Sequence, residues 1–158
     1  MILFLDASAL LKLYREEVGS STMRALMERT ELNDAIFISD VVALEVLVRL
    51  AKQGRSSDRK ERREARRALA EYTHHRGDLL QQLATETEVV RDAQVAALQY
   101  GDSGAGTLDL LHAVFAARLQ RRVPHRPLLF VVADRKLRHL AERIGLRTFD
   151  PEAEDAAP

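Results

Sequence analysis

The first fourteen residues, MILFLDASALLKLY (Met1–Tyr14), place a carboxylate directly after an apolar run. The residues from Ile2 to Leu5 are all apolar, and Asp6 follows them. A short run of this kind predicts a strand that is buried on both faces, which is typical of a parallel sheet. In open α/β sheets, ligands bind beyond the carboxyl ends of the strands. This stretch therefore predicts both a fold class and the position of Asp6 in it.

Strand-like and helix-like segments alternate along the rest of the chain. Further strands are predicted at 36–39, at 84–87, at 128–134 (LLFVVAD, which ends in Asp134) and at 146–149. The first predicted helices are 7–15, 22–31 (capped by Ser20 or Ser21) and a helix that ends at Gln53 after a cap at Ser39 or Asp40. A charged helix within 55–83 is predicted to pack through Leu69 and Tyr72 and to break near Gly77. The last predicted helices are 88–100, LDLLHAVFAARL (108–119, capped by Thr107) and 135–143. This alternation without hairpin signals favours an α/β domain around a parallel sheet.

Composition limits the classes of protein that are possible. The chain has 158 residues, of which 46% are apolar, so we expect one domain over residues 1–150 and a disordered acidic tail over 151–158. Lys plus Arg and Asp plus Glu both number 24, so any electrostatic function must be regional. Cysteine is absent, which excludes disulfides and thiolate metal sites. No apolar run approaches the ~20 residues that span a bilayer, so we expect a cytoplasmic protein without membrane contact.

Four acidic residues stand in apolar surroundings. Asp6 and Asp134 follow apolar strand-like runs, whereas Glu45 and Asp109 interrupt apolar helices, in VVALEVLVRL and TLDLLHAVF. An ionised carboxylate in such a place needs a base, a metal or hydrogen bonds to offset several kcal/mol of desolvation. The nearby bases are few: Lys12 for Asp6, Arg49 for Glu45, and His112 or the more distant Arg118 for Asp109.

A divalent cation would satisfy all four acids at once. If they converge, two carboxylates ~5 Å apart repel each other by roughly 3 kcal/mol at an effective dielectric constant near 20. Oxygen ligands without a thiolate favour Mg²⁺ or Mn²⁺. We therefore interpret Asp6, Glu45, Asp109 and Asp134 as a catalytic set, with Asp6 and Asp109 as the first choice of metal ligands and Asp134 as the next. A salt bridge with Arg49 is the alternative for Glu45.

Four segments together resemble the PIN domain family, most closely the VapC-type ribonuclease toxins of toxin–antitoxin pairs. They are FLDASALLKLY, SDVVALEVL, TLDLLHAVFAA and FVVADRKLRHLAERIGLRTF, which carry the four acids in the family's order. The resemblance implies a three-layer α/β/α domain around a parallel sheet of about five strands. It also implies a Mg²⁺- or Mn²⁺-dependent endoribonuclease, a homodimer and a cognate VapB-like antitoxin. Ser8 corresponds to a hydroxyl that orients a carboxylate, and Val132 stands where many relatives carry Thr or Ser.

Other readings stay open at this stage. The charged stretch predicts contacts with RNA phosphates through Arg55, Arg59, Lys60 and Arg63, but a solvated helix held by ion pairs explains it equally well. His112 is either a packed core histidine or a partner of Asp109. An inactive PIN-like module that captures a basic partner segment is the main alternative function. A phosphatase of the haloacid dehalogenase type is disfavoured, because Ser8 occupies the place of its second aspartate.

Overall fold

Five strands and seven helices form the part of the chain that the computed structural model describes, residues 1–30 and 34–153. The strands are β1 (Ile2–Leu5), β2 (Ala35–Ser39), β3 (Leu80–Leu83), β4 (Leu128–Val131) and β5 (Thr148–Phe149). The helices are α1 (Ala7–Leu11), α2 (Ser20–Glu28), α3 (Asp40–Gln53), α4 (Arg59–Asp78), α5 (Thr87–Tyr100), α6 (Thr107–Arg122) and α7 (Arg135–Arg143). Within these residues, no helix is both long enough and apolar enough to cross a bilayer.

The five strands form one parallel sheet in the order β3-β2-β1-β4-β5. The chain runs outward from the central β1 to β2 and β3, and then crosses to β4 on the other side of β1. The direction of winding therefore reverses between β1 and β4, and such a switch point opens a crevice beyond the carboxyl ends of the two strands. Asp6 follows β1 directly, and Asp134 lies three residues after β4. The predicted α/β class and the sheet of about five strands are confirmed.

Alternate side chains of β1 point into two separate apolar cores. Leu3 and Leu5 pack in a core with residues of α1, α2, α3 and α4, whereas Ile2 and Phe4 pack in a core with residues of α5, α6 and α7. The rings of Phe4 and Phe130 lie 5.5 Å apart across β1 and β4. Since both faces of the sheet are covered by helices, the three-layer architecture is also confirmed.

Helix α1 is shorter than predicted, and the reason lies in its last turn. The prediction was 7–15, but α1 ends at Leu11. The amides of Lys12, Leu13 and Tyr14 each bond to the carbonyl three residues earlier, so the helix tightens into turns. By contrast, α3 has the predicted bounds, since Ser39 accepts a hydrogen bond from the Val42 amide and caps it.

The charged stretch forms α4, but its end and its packing differ from the prediction. Helix α4 continues through Gly77, and the strand that follows is β3, paired with β2 at 80–83 rather than lying at 84–87. Tyr72 is fully buried as predicted, whereas Leu69 is 39% exposed. Ala65 and Ala68 lie in the interface instead, because small side chains let the helix approach its neighbours closely.

Smaller differences concern other element ends. Helix α2 begins at Ser20 after Gly19, and the Ser20 hydroxyl donates to the Arg15 carbonyl instead of capping a helix. The helix ends at Glu28, before the predicted end at residue 31, which itself lies outside the described residues. Thr107 is the first residue of α6 and not its cap, which is Gly106. Strand β4 ends at Val131, and β5 is confined to Thr148–Phe149.

The chain after β5 packs against the start of the protein. Pro151 is buried and lies next to Gly19. A Cβ atom on residue 19 would lie only 2.7 Å from the carbonyl oxygen of Pro151, and the φ angle of Gly19 is +85°. Only glycine therefore fits at position 19. Glu152 accepts a hydrogen bond from Lys12. The packed domain therefore extends at least to Glu152, beyond the predicted boundary at residue 150. The rest of the predicted tail, residues 154–158, lies outside the described residues.

Candidate active site

A cavity of about 230 Å³ opens at the carboxyl ends of β1 and β4. It is lined by Asp6, Ser8, Glu45, Arg49, Asp109, His112, Ala133, Asp134, Leu137 and Glu152. These residues come from four helices or their N-caps (α1, α3, α6 and α7), from the link between β4 and α7, and from the chain after β5. All four acids predicted from the sequence, together with Ser8, therefore line one cavity.

Asp6 is held in place by Ser8. Its Oδ2 atom accepts hydrogen bonds from the Ser8 amide at 2.9 Å and from the Ser8 hydroxyl at 2.6 Å. The same hydroxyl oxygen accepts a hydrogen bond from the Ala133 amide at 3.2 Å, and so connects the ends of β1 and β4. Asp6 is only 4% exposed. These contacts fix one oxygen of the carboxylate and leave Oδ1 facing His112.

His112 lies between Asp6 and Glu45. Its Nε2 donates to Glu45 Oε2 at 2.7 Å and lies 3.7 Å from Asp6 Oδ1. One ligand atom from each of the three residues lies within 4.8 Å of the other two. The contact joins α3 to α6, and so it brings together parts of the chain 67 residues apart. The histidine is therefore a member of the site rather than a core residue or a partner of Asp109 alone.

The acids and the histidine shift each other's protonation. Burial lowers the pKa of His112, but the hydrogen bond to Glu45 and the charges of Asp6, Glu45 and Asp109 outweigh burial, and the pKa is raised above its usual value. The hydrogen bond from His112 lowers the pKa of Glu45 against the opposing effect of burial. Both shifts favour the charged forms, the imidazolium of His112 and the carboxylate of Glu45.

Asp109 and Asp134 line the same cavity from helix N-termini. Asp109 Oδ2 accepts a hydrogen bond from the Gly106 amide at 2.7 Å, in the first turn of α6. Asp134 caps α7, since its Oδ1 accepts from the Lys136 and Leu137 amides at 2.8 and 3.0 Å. One oxygen of each carboxylate accepts hydrogen bonds at the start of its helix. The other oxygen forms no hydrogen bond to the described residues.

Lys12 does not pair with Asp6, contrary to the prediction. The side chain is buried, and its ammonium group donates to Val18 O at 2.8 Å, to Glu17 at 3.3 Å and to Glu152. Sequence proximity suggested Asp6, but α1 directs Lys12 away from the cavity, toward the chain end. Lys12 therefore fixes the position of Glu152, which forms one wall of the cavity.

The predicted RNA-binding residues Arg55, Arg59, Lys60 and Arg63 do not line the cavity. Arg55 follows α3, and the other three border a groove along α4. The helix contains some of the ion pairs of the alternative reading, Lys60 with Glu64 at 3.9 Å and Arg67 with Glu71 at 2.9 Å. Arg59, Arg63 and Arg66, spaced four and three residues apart, form no ion pair within residues 1–30 and 34–153. We call these three the α4 arginine face.

The donor set of the cavity fits a hard divalent cation. Carboxylates are the oxygen ligands that Mg²⁺ and Mn²⁺ prefer, and Asp6, Glu45, Asp109 and Asp134 line the cavity. Among the described residues, the ligand atoms that lie within 4.8 Å of one another belong to Asp6, Glu45 and His112, so Asp109 and Asp134 line the cavity outside this closer group.

The family model for the PIN domain matches residues 3–151. This chain belongs to the PIN domain family. The match includes every residue that lines the cavity except Glu152. No match was found among curated proteins.

Solved structures with the same fold include two VapBC structures and the toxin VapC20. VapBC2 from Rickettsia felis, solved with a DNA fragment from its promoter, has a TM-score of 0.68 at 15% identity, over 95% of this PIN domain and 98% of that chain. VapBC-1 from nontypeable Haemophilus influenzae has a TM-score of 0.63 at 16% identity, over 97% and 100%. VapC20 from Mycobacterium tuberculosis, a toxin that cleaves the sarcin–ricin loop, has a TM-score of 0.64 at 12% identity, over 87% and 93%. At these identities the likeness concerns the fold.

This PIN domain has Val132, shortly before the fourth acid, at the position where many relatives carry Thr or Ser. Its side chain is fully buried in the core beneath α6 and α7, and it does not line the cavity. Among the cavity residues that the structure describes, the hydroxyl is supplied by Ser8.

Proposed function

We propose that this PIN domain is a metal-dependent endoribonuclease and the toxin of a type II toxin–antitoxin pair. The observation that supports this function is the convergence of Asp6, Glu45, Asp109 and Asp134, from four separate elements, on one cavity at the switch point of the sheet. Five acids including Glu152 line a small cavity, and a divalent cation is the ligand that relieves their repulsion most directly.

Each residue has a role in hydrolysis that follows from its contacts. Asp6, Asp109 and Asp134 would hold Mg²⁺ or Mn²⁺, and the ion would supply a positive charge for a phosphodiester oxygen and for the attacking water. Ser8 orients Asp6 through two hydrogen bonds. Glu45 and His112 share a proton at Nε2 beside the metal ligands.

A protein nucleophile is not needed and has no candidate in the cavity. The chain contains no cysteine, and the Ser8 hydroxyl already donates to Asp6 and accepts from the Ala133 amide. The reaction is therefore attack by water, with the acids positioning the ion and the water rather than forming a covalent bond.

The proposal extends to partners. Because its structural neighbours are toxins solved with antitoxins, we expect a VapB-like antitoxin that places a basic side chain among the acids of the cavity. We expect a homodimer as well. RNA is the substrate, and Arg55, Arg59, Lys60 and Arg63 hold its phosphates outside the cavity by charge rather than by base recognition.

The test is cleavage of labelled RNA with Mg²⁺ or Mn²⁺, with EDTA, and by an Asp6→Asn variant. EDTA should abolish cleavage, and the substitution should lower kcat by about 10²- to 10³-fold, since a metal ligand is lost while the side chain still accepts from Ser8. Asp78→Asn, at an exposed acid outside the cavity, is the matched control and should cleave normally. Activity that survives both EDTA and Asp6→Asn would exclude the metal mechanism.

A binding module without catalysis is the second candidate. The position of His112 favours it, because a basic group already sits between Asp6 and Glu45. Such a module would capture an arginine or lysine of a partner in place of a metal. Calorimetry with Mn²⁺ separates the two functions: tight binding of an arginine-containing antitoxin segment without any measurable binding of Mn²⁺ would favour the module.

A further inference from the structure

Arg49 is the one arginine or lysine among the described residues that line the cavity. It projects from α3 one turn after Glu45, and the other charged groups there are five carboxylates and His112. An arginine stays charged at every pH at which the protein is folded. The cavity therefore carries a fixed positive charge at its edge.

The guanidinium group of Arg49 is held loosely. Its Nη2 lies 3.8 Å from Glu45 Oε1, which is too long for a hydrogen bond, and the side chain is 48% exposed. The other carboxylate oxygen of Glu45 is bonded to His112. By comparison, Arg118 contacts Asp92 at 2.7 Å. Glu45 thus has a closer partner, and the donors of Arg49 remain available at the mouth of the cavity.

A substrate phosphate has to approach this cavity against several negative charges. A guanidinium group is suited to that task, since its planar donors bind two phosphate oxygens at once. We propose, resting on the proposed ribonuclease function, that Arg49 binds a backbone phosphate of the RNA at the cavity mouth. In the ligand-free protein it lies beside Glu45, and bound RNA draws it onto the phosphate.

Removal of Arg49 should change the binding of a divalent ion and the binding of RNA in opposite directions, because its guanidinium group faces both the acids of the cavity and the proposed phosphate. Loss of a cation beside Glu45 leaves the acids more negative, so the cavity should bind a divalent ion more tightly. Loss of a phosphate contact should weaken RNA binding. A residue that only supported the fold would weaken both, so the two measurements together distinguish the roles.

The experiment compares Arg49→Met with the wild-type protein. RNA binding is measured by fluorescence anisotropy in EDTA, in which the proposed metal-dependent cleavage cannot proceed, over a series of NaCl concentrations. The dissociation constant should rise about three- to tenfold, and the slope of log K against log salt should fall by about 0.7, the value for one phosphate of a single strand. Calorimetry without RNA should show Mn²⁺ binding that is unchanged or severalfold tighter.

Two further variants make the result specific. Arg49→Lys keeps the charge without the planar fork, and should retain the salt slope with an intermediate affinity. Arg24→Met is the matched control, because Arg24 is 46% exposed and paired with Glu16, but lies outside the cavity; its RNA affinity should be unchanged.

Two outcomes would overturn the proposal. One is an Arg49→Met variant with the affinity and salt slope of the wild-type protein. The other is a variant that loses thermal stability and Mn²⁺ affinity together with RNA binding, which would indicate a structural role. Because the probe is not cleaved, failure of the wild-type protein to hydrolyse RNA would count against the proposed function and not against this inference.

Discussion

The acidic cavity and the α4 arginine face are the two charged regions of this PIN domain, and they are built in opposite ways. Cavity side chains are held by specific bonds: Asp6 by Ser8, Asp134 by two amides of α7. Arg59, Arg63 and Arg66 are exposed and form no ion pair within the described chain. A charge that is fixed in place can orient a reacting group, whereas a mobile surface charge attracts a polyanion without orienting it.

This difference predicts how each region responds to substitution. In the cavity, a change of one atom should alter chemistry or stability strongly, because partners are left without their bonds. On the α4 arginine face, single changes should alter only long-range attraction, which salt screens. The predictions below range from the largest expected effect to the smallest.

Asp109→Asn should give the largest loss. The amide oxygen of asparagine still accepts from the Gly106 amide, so α6 should begin normally, but one negative metal ligand is lost. We expect kcat for RNA cleavage to fall by about 10²- to 10³-fold, with weaker Mn²⁺ binding in calorimetry. Arg63→Gln on the α4 arginine face is the comparison and should change kcat less than about twofold. Normal Mn²⁺ binding by Asp109→Asn would remove Asp109 from the ligand set.

The same substitution at a buried and at an exposed lysine tests the comparison through stability. Lys12→Met removes the ammonium group that Glu17, Glu152 and the Val18 carbonyl share, and should lower the free energy of unfolding by about 2–3 kcal/mol. Lys60→Met on α4, where the side chain is 83% exposed, should leave stability unchanged. Urea denaturation followed by circular dichroism measures both. Equal stabilities would mean that the Lys12 contacts do not hold the chain end in place.

The α4 arginine face should increase the affinity for RNA without positioning the RNA for cleavage. Replacing Arg59, Arg63 and Arg66 together by glutamine should weaken RNA binding about five- to tenfold at moderate salt, and should lower the salt slope by up to about 2. Melting temperature and kcat at saturating RNA should stay as in the wild-type protein. Anisotropy against NaCl concentration checks this, and an unchanged slope would show that RNA does not follow α4.

The four acids and Ser8 could be predicted from the sequence, but their contacts, and the presence of Glu152 in the cavity, could not. An acid after an apolar strand is a local pattern, which is why Asp6 and Asp134 were found together with the parallel sheet. The hydrogen bond from His112 to Glu45 joins helices 67 residues apart, and no local pattern encodes it. The partner of Lys12 was predicted wrongly, because closeness in sequence suggested Asp6, whereas the fold directs the side chain to Glu152.

Termini of elements were predicted well only where a side chain decides them. The Ser39 hydroxyl caps α3 through a single local bond, and the predicted start was right. Strand β3 is decided by pairing with β2, a contact between distant segments, and it was placed four residues too late. The same reasoning explains Leu69: helical spacing favoured it as a packing residue, but the residues of α4 that are buried against neighbouring elements are Ala65, Ala68 and Tyr72.

The smallest predicted effect is the pH dependence that His112 gives to the metal-free protein. Its folded pKa is raised, so the folded state binds the proton more tightly than the unfolded chain does. The stabilisation is fully present below the unfolded pKa of about 6.5 and is lost as the pH rises through the folded pKa. Glu45, whose folded pKa is lowered, stabilises above its unfolded value of about 4.5.

The melting temperature of the wild-type protein should therefore be higher than that of a His112→Gln variant, with EDTA present throughout. This difference in melting temperature should be larger at about pH 5.5 than at about pH 8.5. Packing losses caused by the substitution are the same at both pH values and cancel in this comparison. His74→Gln on α4, exposed beside Asp78, should show a much smaller difference between the two pH values. A pH-independent gap for His112→Gln would mean that His112 is neutral between the two acids, and that the cavity acids are balanced by hydrogen bonds alone.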